Sequence, residues 1–303
     1  MRNAATEIVY DLVKKDKSVI ALTADNKNEV YDRIRKEYPR QYIDYGIAES
    51  NMIASAAGLA TCGKIPFLYT ISNFMAIRAL EFIRNDVCVG SRNVKFLGRS
   101  CGLASYSMGL THQGTEELAC LRAMPNMLVI TPATPIEARE ATKFAYRHNG
   151  PVYIRLESFN EPELFDNSYE FDIGKGQLIK SGNDVTVISM GSVISESMQA
   201  AKVLEKENIA VRIIDMPMVD PLDESLLNDA LNETRMVITL EEHSIYGGLG
   251  SAVAEYIAEH GFSTKLIRMG LKGTVIGGGS RLDIREKNLI SSGDIVKTDR
   301  ENL

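Results

Sequence analysis

The stretch Asp44-Tyr-Gly-Ile-Ala-Glu-Ser-Asn-Met-Ile-Ala-Ser-Ala-Ala-Gly58, DYGIAESNMIASAAG, closes an extended run, turns at Gly46, and sets one carboxylate, Glu49, at the head of small and apolar residues. Strand, turn and helix in that order make one βα unit, with the helix predicted from Glu49 to about Thr61. An acid in a first helical turn is stabilised by about 0.3–1 kcal/mol through the unpaired N–H groups and the helix dipole. Ala54, Ala56, Ala57, Gly58 and Ala60 carry no long side chains, so this helix can approach a neighbouring surface closely. A carboxylate beside such a surface is buried, and a buried carboxylate needs a partner.

The same unit repeats outward. Apolar runs at Val19–Ala24, Tyr42–Asp44, Ile65–Thr70, Val94–Arg99, Leu128–Thr131 and Val152–Leu156 alternate with helical patterns. The rhythm lapses into acids, Gly and Asn between Glu157 and Asp184, then resumes with strands predicted at Val185–Met190, Val211–Asp215, Val237–Leu240 and Lys265–Arg268. Such alternation predicts an α/β protein: two doubly wound domains with mostly parallel sheets, residues 1–160 and 184–303, joined by a linker over 161–183.

Composition narrows the function. The chain has 303 residues, 45% hydrophobic and 24% charged, and no apolar run reaches the roughly 18 residues of a membrane span. Its net charge of −6 is mixed along the chain, which gives no footprint for nucleic acid. Cys62, Cys88, Cys101 and Cys120 lack paired spacing, which argues against a zinc site or disulfide framework and for a reducing, cytoplasmic setting.

GIAESNM resembles the GIAEQNM segment of the transketolase family. The likeness extends through TADN, ISNF, GLTHQGTEELACLRAMPNMLVITPA, GPVYIRL, VRIIDMPMVDPLD and EEHSIYGGLGSAVAE. The resemblance implies the pyrimidine-binding and C-terminal domains of a thiamine-diphosphate enzyme that transfers a two-carbon ketol unit. The family's GDG…N segment, which holds the diphosphate and a divalent metal (Mg or Ca), has no match in this sequence. The chain therefore resembles the C-terminal half of a split enzyme, implying a partner subunit that supplies the N-terminal half and a heterotetramer of two plus two chains.

The resemblance assigns Glu49 to a ring nitrogen of the cofactor aminopyrimidine, where a desolvated carboxyl can share a proton with a weak heterocyclic base. Phe74 matches the aromatic packed on the ring face, and Ile71 and Ile77 fall where many members carry further aromatics. His112 matches a histidine near the reactive carbon, and Asp25 the first acid of the family's ADLxxS segment. Four positions that grip sugar phosphate in the family fall on Arg2, Glu29, Ser100 and Ser158, of which only Arg2 keeps its type. An aspartate that reads a sugar hydroxyl becomes Met108, which cannot accept a strong hydrogen bond. A phosphate beside Glu29 would be repelled, so a modified or neutral sugar is expected in place of the common pentose phosphates. Arg155 cannot replace the arginine lost at Ser158, since alternation along a strand puts the two on opposite faces.

Two other readings compete. One is a synthase-like or 2-oxo-acid-dehydrogenase-like subunit acting on pyruvate, and the other a non-catalytic subunit that organises a complex. GGLGSA is read as a tight strand-to-helix turn rather than a dinucleotide loop, because no acid stands about 20 positions on at a strand end. His243, just before it, is therefore left out of the catalytic set.

Overall fold

The apolar runs of the first half pair as parallel neighbours in one six-stranded sheet, in which the run Val19–Thr23 lies between Tyr42–Asp44 at one edge and Ile65–Ile71, followed by Lys95–Arg99, Val152–Leu156 and Leu128–Ile130. In this computed structural model, which describes residues 1–157, 161, 163–275 and 277–302, they are β1 Val19–Thr23, β2 Tyr42–Asp44, β3 Ile65–Ile71, β4 Lys95–Arg99, β5 Leu128–Ile130 and β6 Val152–Leu156. Helices α1 Arg2–Lys15, α2 Glu29–Glu37, α3 Glu49–Thr61, α4 Leu80–Phe82, α5 Glu117–Arg122 and α6 Pro135–Arg147 connect and cover them. β1 and β6 are buried along their whole length, as central strands with helices on both faces must be.

The connection β1–α2–β2 runs to one edge of this sheet, and β2–α3–β3 crosses back to the other side of β1. That reversal opens a crevice at the carboxyl ends of β1 and β3, where ligands bind in such folds. The small residues of α3 are only partly explained within the chain. Ala56 and Ala57 pack into the core, whereas Gly58 is exposed and has open space around it.

The second sheet, in the order β11-β10-β8-β9-β7, comprises β7 Gln177–Lys180, β8 Val185–Met190, β9 Val211–Asp215, β10 Met236–Ser244 and β11 Lys265–Leu271. Its helices are α7 Ile194–Leu204, α8 Glu224–Glu233, α9 Leu249–His260, α10 Arg281–Lys287 and α11 Ser292–Glu301. β8 to β11 are parallel and β7 is antiparallel to β9. The stretch 161–183, read from the sequence as linker, thus already contains an edge strand. None of the four β7 residues is fully buried, so hydrophobicity carried no sign of it.

The two halves meet over buried charge. Arg155 of β6 donates through Nε to Glu117 Oε1 (2.8 Å) and through Nη2 to the carbonyls of Gly114 (3.0 Å) and Glu242 (2.9 Å). Glu242, on β10, accepts from Arg281 Nη2 (2.6 Å), Arg285 Nε (2.5 Å) and the Leu103 N–H (3.0 Å). Arg281 also reaches Glu157, and Arg285 reaches Glu196 (2.8 Å). Burial alone would raise the carboxyls of Glu117 and Glu242. The guanidiniums outweigh it and hold both below the usual carboxylate range.

A second contact joins acid to acid. Glu137 of α6 accepts from the Tyr169 hydroxyl (2.9 Å) and the Ala133 N–H (2.5 Å), and it interacts with Asp215 at the end of β9. Burial pushes Glu137 up to about 7, and burial together with the charge of Glu137 raises Asp215.

Replacing Arg155 by Met strands Glu117 without its counter-charge, and urea unfolding is expected to show a loss of about 3–5 kcal/mol. Glu137 has the opposite sign of pH dependence from a salt-bridged acid. Its folded carboxyl titrates above its unfolded value, so its contribution is full below about pH 4.5 and is lost as pH rises through about 7. Between about pH 5 and about pH 8, Glu137→Gln should lose about 1–3 kcal/mol less unfolding free energy than the wild type.

Candidate active site

Glu49 is the first residue of α3, follows the carboxyl end of β2, and is 2% exposed. Its Oε2 accepts from Arg78 Nη1 at 2.6 Å, and Oε1 has no hydrogen-bond partner among the described residues. Arg78 comes from the segment after β3, where Phe74–Arg78 is wound as a π-helix. Such turns are frequent at functional sites, and this one sets the Arg78 guanidinium 4.6 Å from the centroid of the Phe74 ring.

The loop carrying His112 also closes on Phe74. The two rings lie edge to face with centroids 5.0 Å apart. Asn73 Nδ2 donates to the Thr111 carbonyl at 3.3 Å, and Thr111 Oγ1 lies 2.9 Å from His112 Nδ1. Gly114 lets the loop approach this closely, for a Cβ there would stand 2.3 Å from Ser72 Oγ. Glu49, Arg78, Phe74 and His112 therefore form one contiguous chain of contacts.

A cavity of about 290 Å³ at the ends of β3 and β4 is lined by Arg2, Ile71, Arg99, Ser100, Met108 and His112 among others. Arg99 is oriented by Asn26, whose Oδ1 accepts from its Nε at 2.5 Å and whose Nδ2 donates to Thr70 Oγ1 at 2.7 Å. Neither Arg78 nor Arg99 was singled out from the sequence. Each sits in a run with other basic or apolar residues; Arg99 closes β4, Arg78 stands seven residues beyond β3, and neither carries a local sign of its contacts.

Other expected residues lie elsewhere. Glu29, at the start of α2, is exposed and lines a neighbouring cavity with Arg2, Lys27 and Arg33, not the one at His112. The repulsion expected of Glu29 is thus not built into the cavity at His112. Asp25 has a left-handed backbone (φ +47°), its N–H bonds Asp44 Oδ1 at 3.1 Å, and it lines a third cavity with Asp44 and Arg35. Ile77 is 40% exposed, and Ser158 lies outside the described residues. Arg155 is fully buried in the contact between the halves.

The GGLG segment forms a strand-to-helix turn. The first N–H groups of α9, those of Leu249 and Gly250, donate to Glu241 at 2.9 and 2.8 Å, and a Cβ on Gly248 would lie 2.0 Å from the same carboxylate. An internal acid thus occupies the helix start that a dinucleotide would need. Burial pushes Glu241 up to about 7. His243 is likewise structural: Nδ1 lies 2.8 Å from the Ser244 carbonyl, Nε2 accepts from the Ala119 N–H at 3.4 Å, and burial lowers its titration to about 4.

Comparison with known proteins follows the division of the sheets. The family model for the transketolase pyrimidine binding domain matches residues 1–160, and that for the transketolase C-terminal domain matches residues 174–295. An apulose-4-phosphate transketolase subunit of Actinobacillus succinogenes is 33% identical over 98% of this chain and 96% of that one. A 6-deoxy-6-sulfo-D-fructose transketolase subunit of a Clostridium species is 32% identical over 100% and 96%. A solved split-gene transketolase, an inactive β4 tetramer, shares the fold with a TM-score of 0.90 and 36% identity, covering 99% of this chain and 97% of its own. Matched in both of its sheets and along nearly all of its length, the chain belongs to the transketolase family.

Proposed function

We propose that this chain is the cofactor-activating half of a two-subunit, thiamine-diphosphate-dependent enzyme that moves a two-carbon ketol unit from a ketose to an aldehyde. The observation that carries the reading is Glu49: a carboxylate 2% exposed, linked through Arg78 to the face of Phe74, at the crevice of the six-stranded sheet. These residues fit an aminopyrimidine. Phe74 offers a flat ring face, and Glu49 offers a buried carboxylate for a ring nitrogen.

When bound, thiamine diphosphate supplies a carbon nucleophile for the ketose carbonyl. Glu49 shares a proton with the ring, Phe74 packs on it, and Ile71 keeps the adjoining wall apolar. Ile77, 40% exposed, is assigned to the outer margin of that pocket, and Asp25, in its own cavity beside Asp44, to the approach to it. His112, with Arg2, Ser100 and Met108 in one cavity, holds the oxygens of the sugar. Two relatives named for apulose 4-phosphate and a sulfofructose support a sugar other than the common pentose phosphates.

The diphosphate and its metal ion belong to an N-terminal-half partner, most simply in an assembly of two plus two chains. Subunit-length relatives, and the inactivity of the β4 tetramer described for the split-gene relative, support that arrangement.

The chain alone should show no ketol transfer and should gain it when mixed with a diphosphate-binding partner chain. In that mixture Glu49→Gln is expected to lower kcat by about 10²–10⁴-fold. Carbon dioxide release from pyruvate in place of ketol transfer would make it a synthase-type subunit, and unchanged activity of Glu49→Ala would leave it an organising subunit. Efficient turnover of xylulose 5-phosphate with ribose 5-phosphate would overturn the substrate reading.

A further inference from the structure

Arg78 engages both groups on which an aminopyrimidine would depend. Its Nη1 holds Glu49 Oε2 at 2.6 Å, and its guanidinium carbon lies 4.6 Å from the Phe74 ring centroid. A guanidinium is planar, cationic and rich in N–H donors, and it stacks on aromatic faces. It therefore offers Glu49 and Phe74 much of what a protonated aminopyrimidine would. The two partners differ in freedom: Glu49 is 2% exposed, whereas the Arg78 side chain is 47% exposed and has a route to water.

We propose that Arg78 is an exchangeable stand-in for the cofactor ring, a positioning residue that holds Glu49 oriented and then yields both Glu49 and the Phe74 face. This rests on the reading of Glu49 and Phe74 as the ring's site. Ring binding must then break a half-exposed ion pair and a cation–π contact, so removing Arg78 tightens binding by about fivefold. Glu49 keeps its counter-charge until the ring arrives, and the ring then takes the place of the guanidinium at both groups.

Other charged groups near the site are His112, against Phe74, and Asp25 and Asp44 in the neighbouring cavity.

The test is calorimetric titration of thiamine diphosphate into this chain assembled with its diphosphate-binding partner. Arg78→Met should bind about fivefold tighter than the wild type. Arg78→Lys, which keeps the charge and is the milder change to the fold, should stay within about twofold of the wild type. Weaker or unchanged binding by Arg78→Met, or binding by Arg78→Lys as tight as that of Arg78→Met, would each overturn the proposal. A wild-type assembly that binds no thiamine diphosphate would overturn the proposed function itself, and this inference with it.

Discussion

Arg155 lies where no water reaches it, so the acceptors for its N–H groups must come from the protein, and they come from distant parts of the chain. Glu117 and the Gly114 carbonyl belong to the loop and helix that follow His112, and the Glu242 carbonyl belongs to the second sheet. One guanidinium on β6 thereby ties the first sheet to the second and fixes the loop that sets His112 against Phe74. Its attraction to buried carboxylates also explains why Glu117 can remain charged in a dry interior, since burial alone would drive the carboxyl toward its neutral form. The position of the site and the joining of the two halves depend on the same contact.

What the sequence made legible follows from what it encodes locally. Ten strands stand where apolar runs lie between turn formers, and most of them are buried between layers of helices, which demands such runs. The helix from Glu49 to Thr61 was legible for a related reason, its small and apolar residues starting just past a strand and a glycine. β7 was not legible, since an edge strand held by backbone pairing to β9 needs no apolar code. The meeting of the halves was hidden too. Glu157, Glu241 and Glu242 read locally as polar residues at strand ends, and nothing nearby in sequence reveals that Arg281 and Arg285 fold back onto two of them.

The site divides along the same line. Glu49, Phe74, Ile71 and His112 were expected together because each lies within a recognisable segment, and the structure brings them to one end of one sheet. Glu29 and Asp25 were drawn in by the same likeness, but the fold sends their side chains toward separate cavities. Arg78 and Arg99 escaped because their roles arise from contacts across the crevice. Arg78 meets Glu49 from 29 positions away, and Arg99 meets Asn26 from 73.

Three buried glutamates show why the acid of the opening stretch differs from its peers. Glu241 is satisfied by backbone N–H groups at the start of α9, which cannot move away without unwinding the helix. Glu242 is locked between Arg281 and Arg285, both largely enclosed. Glu49 has one cation among the described residues, that of Arg78, on a side chain 47% exposed. Burial makes each carboxylate dependent on its partner, but in this one the partner is replaceable at small cost. A carboxylate kept ready by a movable charge is suited to receive a ligand, and the fold places it at the crevice where the connections of the sheet reverse.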